Sequence, residues 1–358
     1  MPGQHTVLKR GGLYWDRETV PPSVFAERVA RIQAEIAKAG DDAWVFYGDS
    51  QSYGAPAYVS GFLPRARSVL VLVPRSGEPT LLASVGPRDV PAAKTLTAVE
   101  DVRPYVRLPR EAIRILMERQ LGQKKVGLVG AHAQLSEADW QAISSELPEV
   151  RWEQRDAIFN ELRASKAPVE QAVISKAGAV VSAGLDAGSS ALQPGRSVRQ
   201  AIADVDKAMR YAGAEDLRLL ISVGQGALRP AHDGIIPERQ PISLLAAAEV
   251  QRYWSEAART YNGDASLASQ AVEAMAAAAK PGVTAGAVAE AARAVLSSAT
   301  GWTATSADDY GLGNGIGLDL EEPPFIRAGS AEPLVSGATL ALRVVLPGSI
   351  AGRTIAVA

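Results

Sequence analysis

The stretch Gly311–Pro324, GLGNGIGLDLEEPP, sets glycine at alternate steps and follows it with an acidic run before two prolines. A frame of this kind suits a backbone that must hold ligands closely around a reacting centre, yet it contains neither histidine nor cysteine. The chain has no cysteine anywhere, which excludes thiolate catalysis, disulfides and cysteine-bound zinc. Its three histidines, His5, His132 and His232, are the whole stock from which an imidazole site can draw. A histidine side chain accepts and returns a proton near neutral pH. Arg343 stands inside the apolar run TLALRVVLPG, between Leu342 and Val344. An arginine in a buried strand is costly unless paired. Two roles are open to it: a structural ion pair, or two parallel hydrogen bonds to a substrate carboxylate or a developing oxyanion.

The elements that would position these groups fall into two patterns. PPSVFAERVARIQAEIAKAG, residues 21–40, places Phe25, Val29, Ile32 and Ile36 at three- and four-residue steps and predicts an amphipathic helix ended by glycine. AWVFYG and SVLVLVPRSGEPTLLAS predict strands, the latter a pair joined by a Gly-Glu-Pro turn. A helix over 110–120, the buried strand KVGLVG and the helix SEADWQAISSEL complete a small α/β domain. The pattern changes near 155–168, where one or two helices are broken at Pro168. Alanine-rich helices follow over 197–211, 267–279 and 286–298, and RLLISVGQG, ISLLAAAEVQRYW and TLALRVVLPG predict strands between and after them. That half is an α+β plan of helices on an antiparallel sheet. The 358 residues are 47% apolar and 21% charged with formal net charge −2, a balance that argues against a nucleic-acid partner. No apolar run approaches the roughly 20 residues of a membrane span, and MPGQHTVLKRGG lacks the apolar core of a secretory signal. A cytoplasmic protein with no membrane partner is expected.

Taken in order, five stretches resemble the creatinase, prolidase and aminopeptidase P family. They are LRASKAPVEQAVISKA, ISVGQGALRPAHDG, LLAAAEVQRYWSEAARTY, YGLGNGIGLDLEEPP and LVSGATLALRVVLPG. In the first half, AYVSGFLPRARSVLVLV resembles the family's Y-x-x-G-F strand and turn. The resemblance implies an N-terminal α/β domain over 1–163 and an α+β pita-bread catalytic domain over 164–358. Metal-using relatives hold two divalent ions with two aspartates, one histidine and two glutamates. Those positions resemble Leu245, Glu256, Asn314, Arg343 and a residue near Ile355. One oxyanion ligand of the five survives, so neither metal nor other cofactor is expected. Permanently charged arginine would repel a cation.

Creatinase within the family works without metal, and the chain resembles it in keeping the histidine, here His232. The resemblance implies a metal-independent hydrolase of a C–N bond in a small anionic compound. His232 would be the general acid and base, and Glu256 or Glu321 would orient it or the substrate. Glu321 and Glu322 are adjacent, so in a strand they face opposite ways; the family's register favours Glu321 as the one in the pocket. Arg343 would replace the lost metal charge or pair with Glu256 or Glu321. Asn314 would donate to the developing oxyanion, Tyr310 would orient the substrate, and Tyr253 and Trp254 would line the pocket. The turn GFLPRAR, with Phe62, Arg65 and Arg67, would reach the neighbouring subunit's site in a homodimer, as in creatinase-like dimers. Creatine itself is disfavoured, since its cationic guanidinium would meet Arg343. A metal-free lyase using the same histidine, and a non-catalytic binding protein, are the alternatives.

Overall fold

In a computed structural model of the chain, residues 14–64, 67–297 and 311–358 are described. The chain divides into two units, Met1–Leu162 and Arg163–Ala358. In the first, α1 (Pro22–Lys38), β1 (Ala43–Asp49), α2 (Gly54–Ser60), β2 (Ser68–Pro74), β3 (Thr80–Ala83), α3 (Val90–Lys94) and β4 (Asp101–Pro104) are followed by α4 (Leu108–Glu118), β5 (Lys125–Val129), α5 (Ala131–Gln134), α6 (Glu137–Glu146), β6 (Arg151–Gln154) and α7 (Asp156–Ala164). Its described strands form one mixed sheet in the order β4-β3-β2-β1-β5-β6. The amphipathic spacing of α1 buries Phe25, Ile32 and Ile36, and the uninterrupted apolar runs of β1 and β2 lie in the middle of the sheet. AYVSGF is helical through Ser60 instead of forming the expected strand. Gly61 then ends the helix at φ 69°, and a Cβ there would come within 2.8 Å of the Phe25 ring, so the close turn needs glycine.

Asp41 anchors this sheet. Its carboxylate accepts from Trp44 Nε1 (2.7 Å) and from Arg155 Nε and Nη2 (2.7 and 2.9 Å), with Lys125 Nζ at 3.1 Å. Burial pushes the carboxyl pKa up, but the bonds from Arg155, Trp44 and Lys125 outweigh it and hold Asp41 below its usual value. A depressed folded-state pKa gives stability that is present above the unfolded value and lost as pH falls through the folded one. Asp41→Asn is therefore expected to cost about 2 kcal/mol at pH 7. In urea unfolding of native and variant chains, that difference should shrink steadily below about pH 4. A difference independent of pH would show that the ionised form of Asp41 contributes nothing.

The second unit begins in the last turn of α7. Pro168 opens α8 (Pro168–Ala191) at the first helical position, where its missing N–H costs nothing, so the sequence breaks into two helices there. The remaining elements are α9 (Val198–Tyr211), β7 (Asp216–Val223), β8 (Ile242–Val250), β9 (Tyr253–Tyr261), α10 (Ser266–Ala278), α11 (Ala285–Leu296), β10 (Gly313–Gly315), β11 (Glu322–Phe325), β12 (Thr339–Leu346) and β13 (Ser349–Ala356). The described strands form an antiparallel sheet in the order β11-β10-β12-β13-β9-β8-β7. Helices cover one face. Leu244, Ala246 and Ala248 of β8 enter the core with α8 and α9. Leu340, Leu342 and Val344 of β12 enter the core with the small-residue faces of α10 and α11. Among the described residues no helix is long and apolar enough to cross a membrane.

Candidate functional site

The face of the second sheet turned away from those helices carries two adjacent cross-strand rows. In the first, Arg218 on β7 opposes Ala247 on β8, which opposes Glu256 on β9. Thr354 on β13 continues the row: its hydroxyl accepts from the Glu256 N–H and donates to the Glu256 carbonyl, both at 2.9 Å. Thr354 opposes Ala341 on β12, which opposes Asn314 on β10. The second row holds Leu220, Leu245, Ala258, Gly352 and Arg343. Opposed residues and alternate residues share a face, so Arg218, Glu256, Asn314, Arg343 and Leu245 all present themselves on one side.

A buried carboxylate lies at the centre. Glu256 is 3% exposed and is held between two guanidiniums. Its Oε1 accepts from Arg343 Nη1 at 2.8 Å and its Oε2 from Arg218 Nη2 at 2.6 Å. Arg218 Nη1 also donates to Glu321 Oε1 at 3.3 Å. Two guanidiniums and two carboxylates make this group formally neutral. Arg343 is thus in the ion pair with Glu256 that its apolar setting demands. Arg218 escaped the sequence reading, although it carries the same signal: an arginine flanked by leucines within a strand. Glu322 faces elsewhere. It is 2% exposed and paired with Lys166 and, at 3.2 Å, with Arg163 Nη1, which also bonds Asp319 at 2.6 Å.

Several expected roles change. Asn314 was expected to donate to an oxyanion, but its Nδ2 is spent on the carbonyls of Gly315 (2.8 Å) and Leu320 (3.1 Å). What it offers is its buried Oδ1, an acceptor with no hydrogen-bond partner among the described residues. Tyr253 does not share the face of Glu256: three residues away on a strand, it points to the helices, where its hydroxyl donates to Glu170 Oε1 on α8 at 3.0 Å. Trp254 does share it and packs with Ala247, Ile316 and Ala341. Phe62 is 2% exposed in the chain, so its ring is not free to reach a neighbouring subunit. Arg67 is exposed, at φ 55°, and its Nη1 donates to the Val106 carbonyl at 3.4 Å. Tyr310 and Arg65 lie outside the described residues. His232 sits on the connection between β7 and β8; its Nδ1 lies 3.4 Å from the carbonyl of Pro230 in the same loop, and it shares no hydrogen bond or ion pair with Glu256, Glu321, Asn314 or Arg343. The structure brings Arg343 directly to Glu256 and links Glu256 to Glu321 through Arg218, and the imidazole shares no hydrogen bond with that cluster.

Two family profiles match the chain: metallopeptidase family M24 over residues 172–353 and the creatinase/prolidase N-terminal domain over 28–165. The chain belongs to the M24 family, in its creatinase, prolidase and aminopeptidase P branch with a pita-bread C-terminal domain. That is a family of hydrolases of C–N bonds. Solved structures agree on the fold. The prolidase from Pyrococcus horikoshii is 21% identical at TM-score 0.77, over 92% of this chain and 95% of that one. The X-Pro aminopeptidase from Thermotoga maritima is 20% identical at TM-score 0.78, over 92% and 94%. The N-terminal domain of the FACT complex subunit SPT16 from chickpea is 16% identical at TM-score 0.71, over 94% of each. No curated protein sequence matches this chain.

The family implies a dication pair, and the residues here do not fit one. Leucine at 245 supplies no donor, arginine at 343 adds a positive charge, and Glu256 is engaged by two guanidiniums. Among the described residues no three histidines or carboxylates gather as a metal-binding group. Near the last ligand position, the structure separates two neighbouring residues. Ile355 opposes Leu340 and packs on the helix-side core, whereas Thr354 opposes Ala341 and touches Glu256, so position 354 is the one on the site's face.

Proposed function

We propose that this face of the second unit is a metal-independent binding site for a small carboxylate-bearing compound, recognised by the guanidiniums of Arg218 and Arg343. The observation that supports it is the clamp on Glu256 at 2.6 and 2.8 Å, which keeps two arginines ordered where relatives hold cations. Hydrolysis would further require a base. Both oxygens of Glu256 are engaged by guanidiniums, which leaves His232. Since that imidazole has no bond to the cluster, binding without turnover is the favoured reading. The fold hosts both peptidases and a subunit of the FACT complex, so it does not decide the matter by itself. A metal-free C–N hydrolase, or a lyase with the same base, is the second reading. It draws on the family's chemistry and on the place of His232 between β7 and β8, which carry Arg218 and Leu245.

The test combines metal analysis of the purified protein with a thermal-shift screen of small carboxylates and amides, each hit then assayed for turnover in native and His232→Ala chains. Binding of a carboxylate with no stoichiometric metal and no turnover is the expected result. One or more tightly held ions per chain would sink the site assignment. Turnover abolished by His232→Ala would favour the hydrolase.

A further inference from the structure

We infer that Glu321 is an exchangeable stand-in for the ligand's carboxylate, displaced from Arg218 when the ligand enters; this rests on the binding-site reading above. The two carboxylates on Arg218 are not equivalent. Glu256 is 3% exposed and accepts at 2.6 Å, while Glu321 is 49% exposed and accepts at 3.3 Å. The first is locked by a second guanidinium, Arg343; for the second, Arg218 is the ion-pair partner among the described residues. With Glu321 in place the cluster is neutral, so an added monoanion would leave a net negative charge beside buried Glu256. Exchange keeps the balance: a ligand carboxylate takes the Arg218 Nη1 position, and Glu321 turns its charge into solvent.

The exchange needs only a side chain to move. The main chain just before Glu321 is pinned, because Asn314 Nδ2 donates to the Leu320 carbonyl at 3.1 Å. On the other side Glu322 is buried in its pair with Lys166. Glu321 alone of this acidic pair is half in water. Arg218 is itself 30% exposed, so a ligand carboxylate can reach it from solvent. Its Nε is buried with no hydrogen-bond partner among the described residues, which leaves one further donor of the guanidinium fork unspent. The class of ligand this favours is a compact monocarboxylate. A dicarboxylate would bring a second charge to a cluster with one exchangeable position.

The probe is N-acetylglycine, with acetate and succinate beside it, titrated calorimetrically into the native chain and into Glu321→Ala, Glu321→Gln and Arg218→Met. Removing an exposed intramolecular competitor should tighten N-acetylglycine about fivefold in Glu321→Ala, less in Glu321→Gln, and Arg218→Met should abolish it. Unchanged melting of the Glu321 variants confirms that they fold. If the native chain binds and neither Glu321 variant binds more tightly, the exchange is overturned while the binding site stands. If neither the native chain nor any Glu321 variant binds a carboxylate, the binding-site reading falls and the exchange falls with it. Binding unaffected by Arg218→Met, or succinate preferred over N-acetylglycine, also overturns the inference.

Discussion

Glu256→Met is expected to lower the stability of the second unit by about 3–5 kcal/mol, the range for breaking a buried ion pair by removing one partner. The loss comes less from the missing bonds than from what remains. Arg343, 8% exposed on the interior strand β12, would keep its charge in the sheet without the Glu256 carboxylate that accepts from it. Arg343→Met should cost less, about 1–2 kcal/mol, because Glu256 keeps Arg218 at 2.6 Å. The double variant Glu256→Met, Arg343→Met should recover to within about 1 kcal/mol of the native chain, since two apolar side chains of similar volume replace a pair that had to be desolvated. Arg218, being part-exposed, can then turn fully to Glu321. Urea unfolding followed by circular dichroism gives the three values and the coupling between the sites. Equal losses for both single variants, or a double variant as unstable as Glu256→Met, would show that the pair is not the unit that holds this face.

Much of this architecture can be read from the chain, and the failures have physical causes. Period-3.6 spacing in α1 and the proline at the start of α8 are local signals, so their elements stand where expected. AYVSGF misleads because tyrosine, valine and phenylalanine favour strands in isolation; the left-handed Gly61 packed on Phe25 decides for a helix, and Phe25 is 36 positions earlier. The site was legible as a set of strand positions and, for Arg343, as a choice between two carboxylate partners, of which the structure shows Glu256; the part of Arg218 was not. Strand parity already separates Tyr253 from Glu256, whereas which carboxylate pairs with Arg218 depends on the order of β7, β8 and β9 in the sheet. The direction of Asn314 depends on the carbonyls of its own turn, which composition does not reveal. Which residue near Ile355 faces the site has the same root. The turn after Leu346 sets the register between β12 and β13, and a slip of one residue moves every side chain to the other face.

That register leads to the other large expected effect. A chain carrying Leu245→Asp, Glu256→Asp, Asn314→His, Arg343→Glu and Thr354→Glu is expected to bind a divalent ion where the native chain does not. These are the ligand types that metal-using relatives hold, placed on positions that the two cross-strand rows bring to one face. Without metal the variant should be much less stable than the native chain, because several carboxylates crowd with Arg218 as the one guanidinium of the cluster that remains. Manganese at a thousandfold excess over its dissociation constant should then return about 4 kcal/mol, read as a rise in melting temperature absent from the native chain. The sharper comparison replaces Thr354→Glu by Ile355→Glu in the same background. A glutamate at 355 would enter the apolar layer with Leu340 and Leu342 beneath α10, where it has no route to the other four ligands. Binding by the 354 variant alone supports the rows as the descendants of a metal site. A folded 354 variant indifferent to manganese, or a 355 variant that binds it, would mean that Arg343 and Glu256 do not occupy former ligand positions, and the account of why arginine stands there would have to be given up.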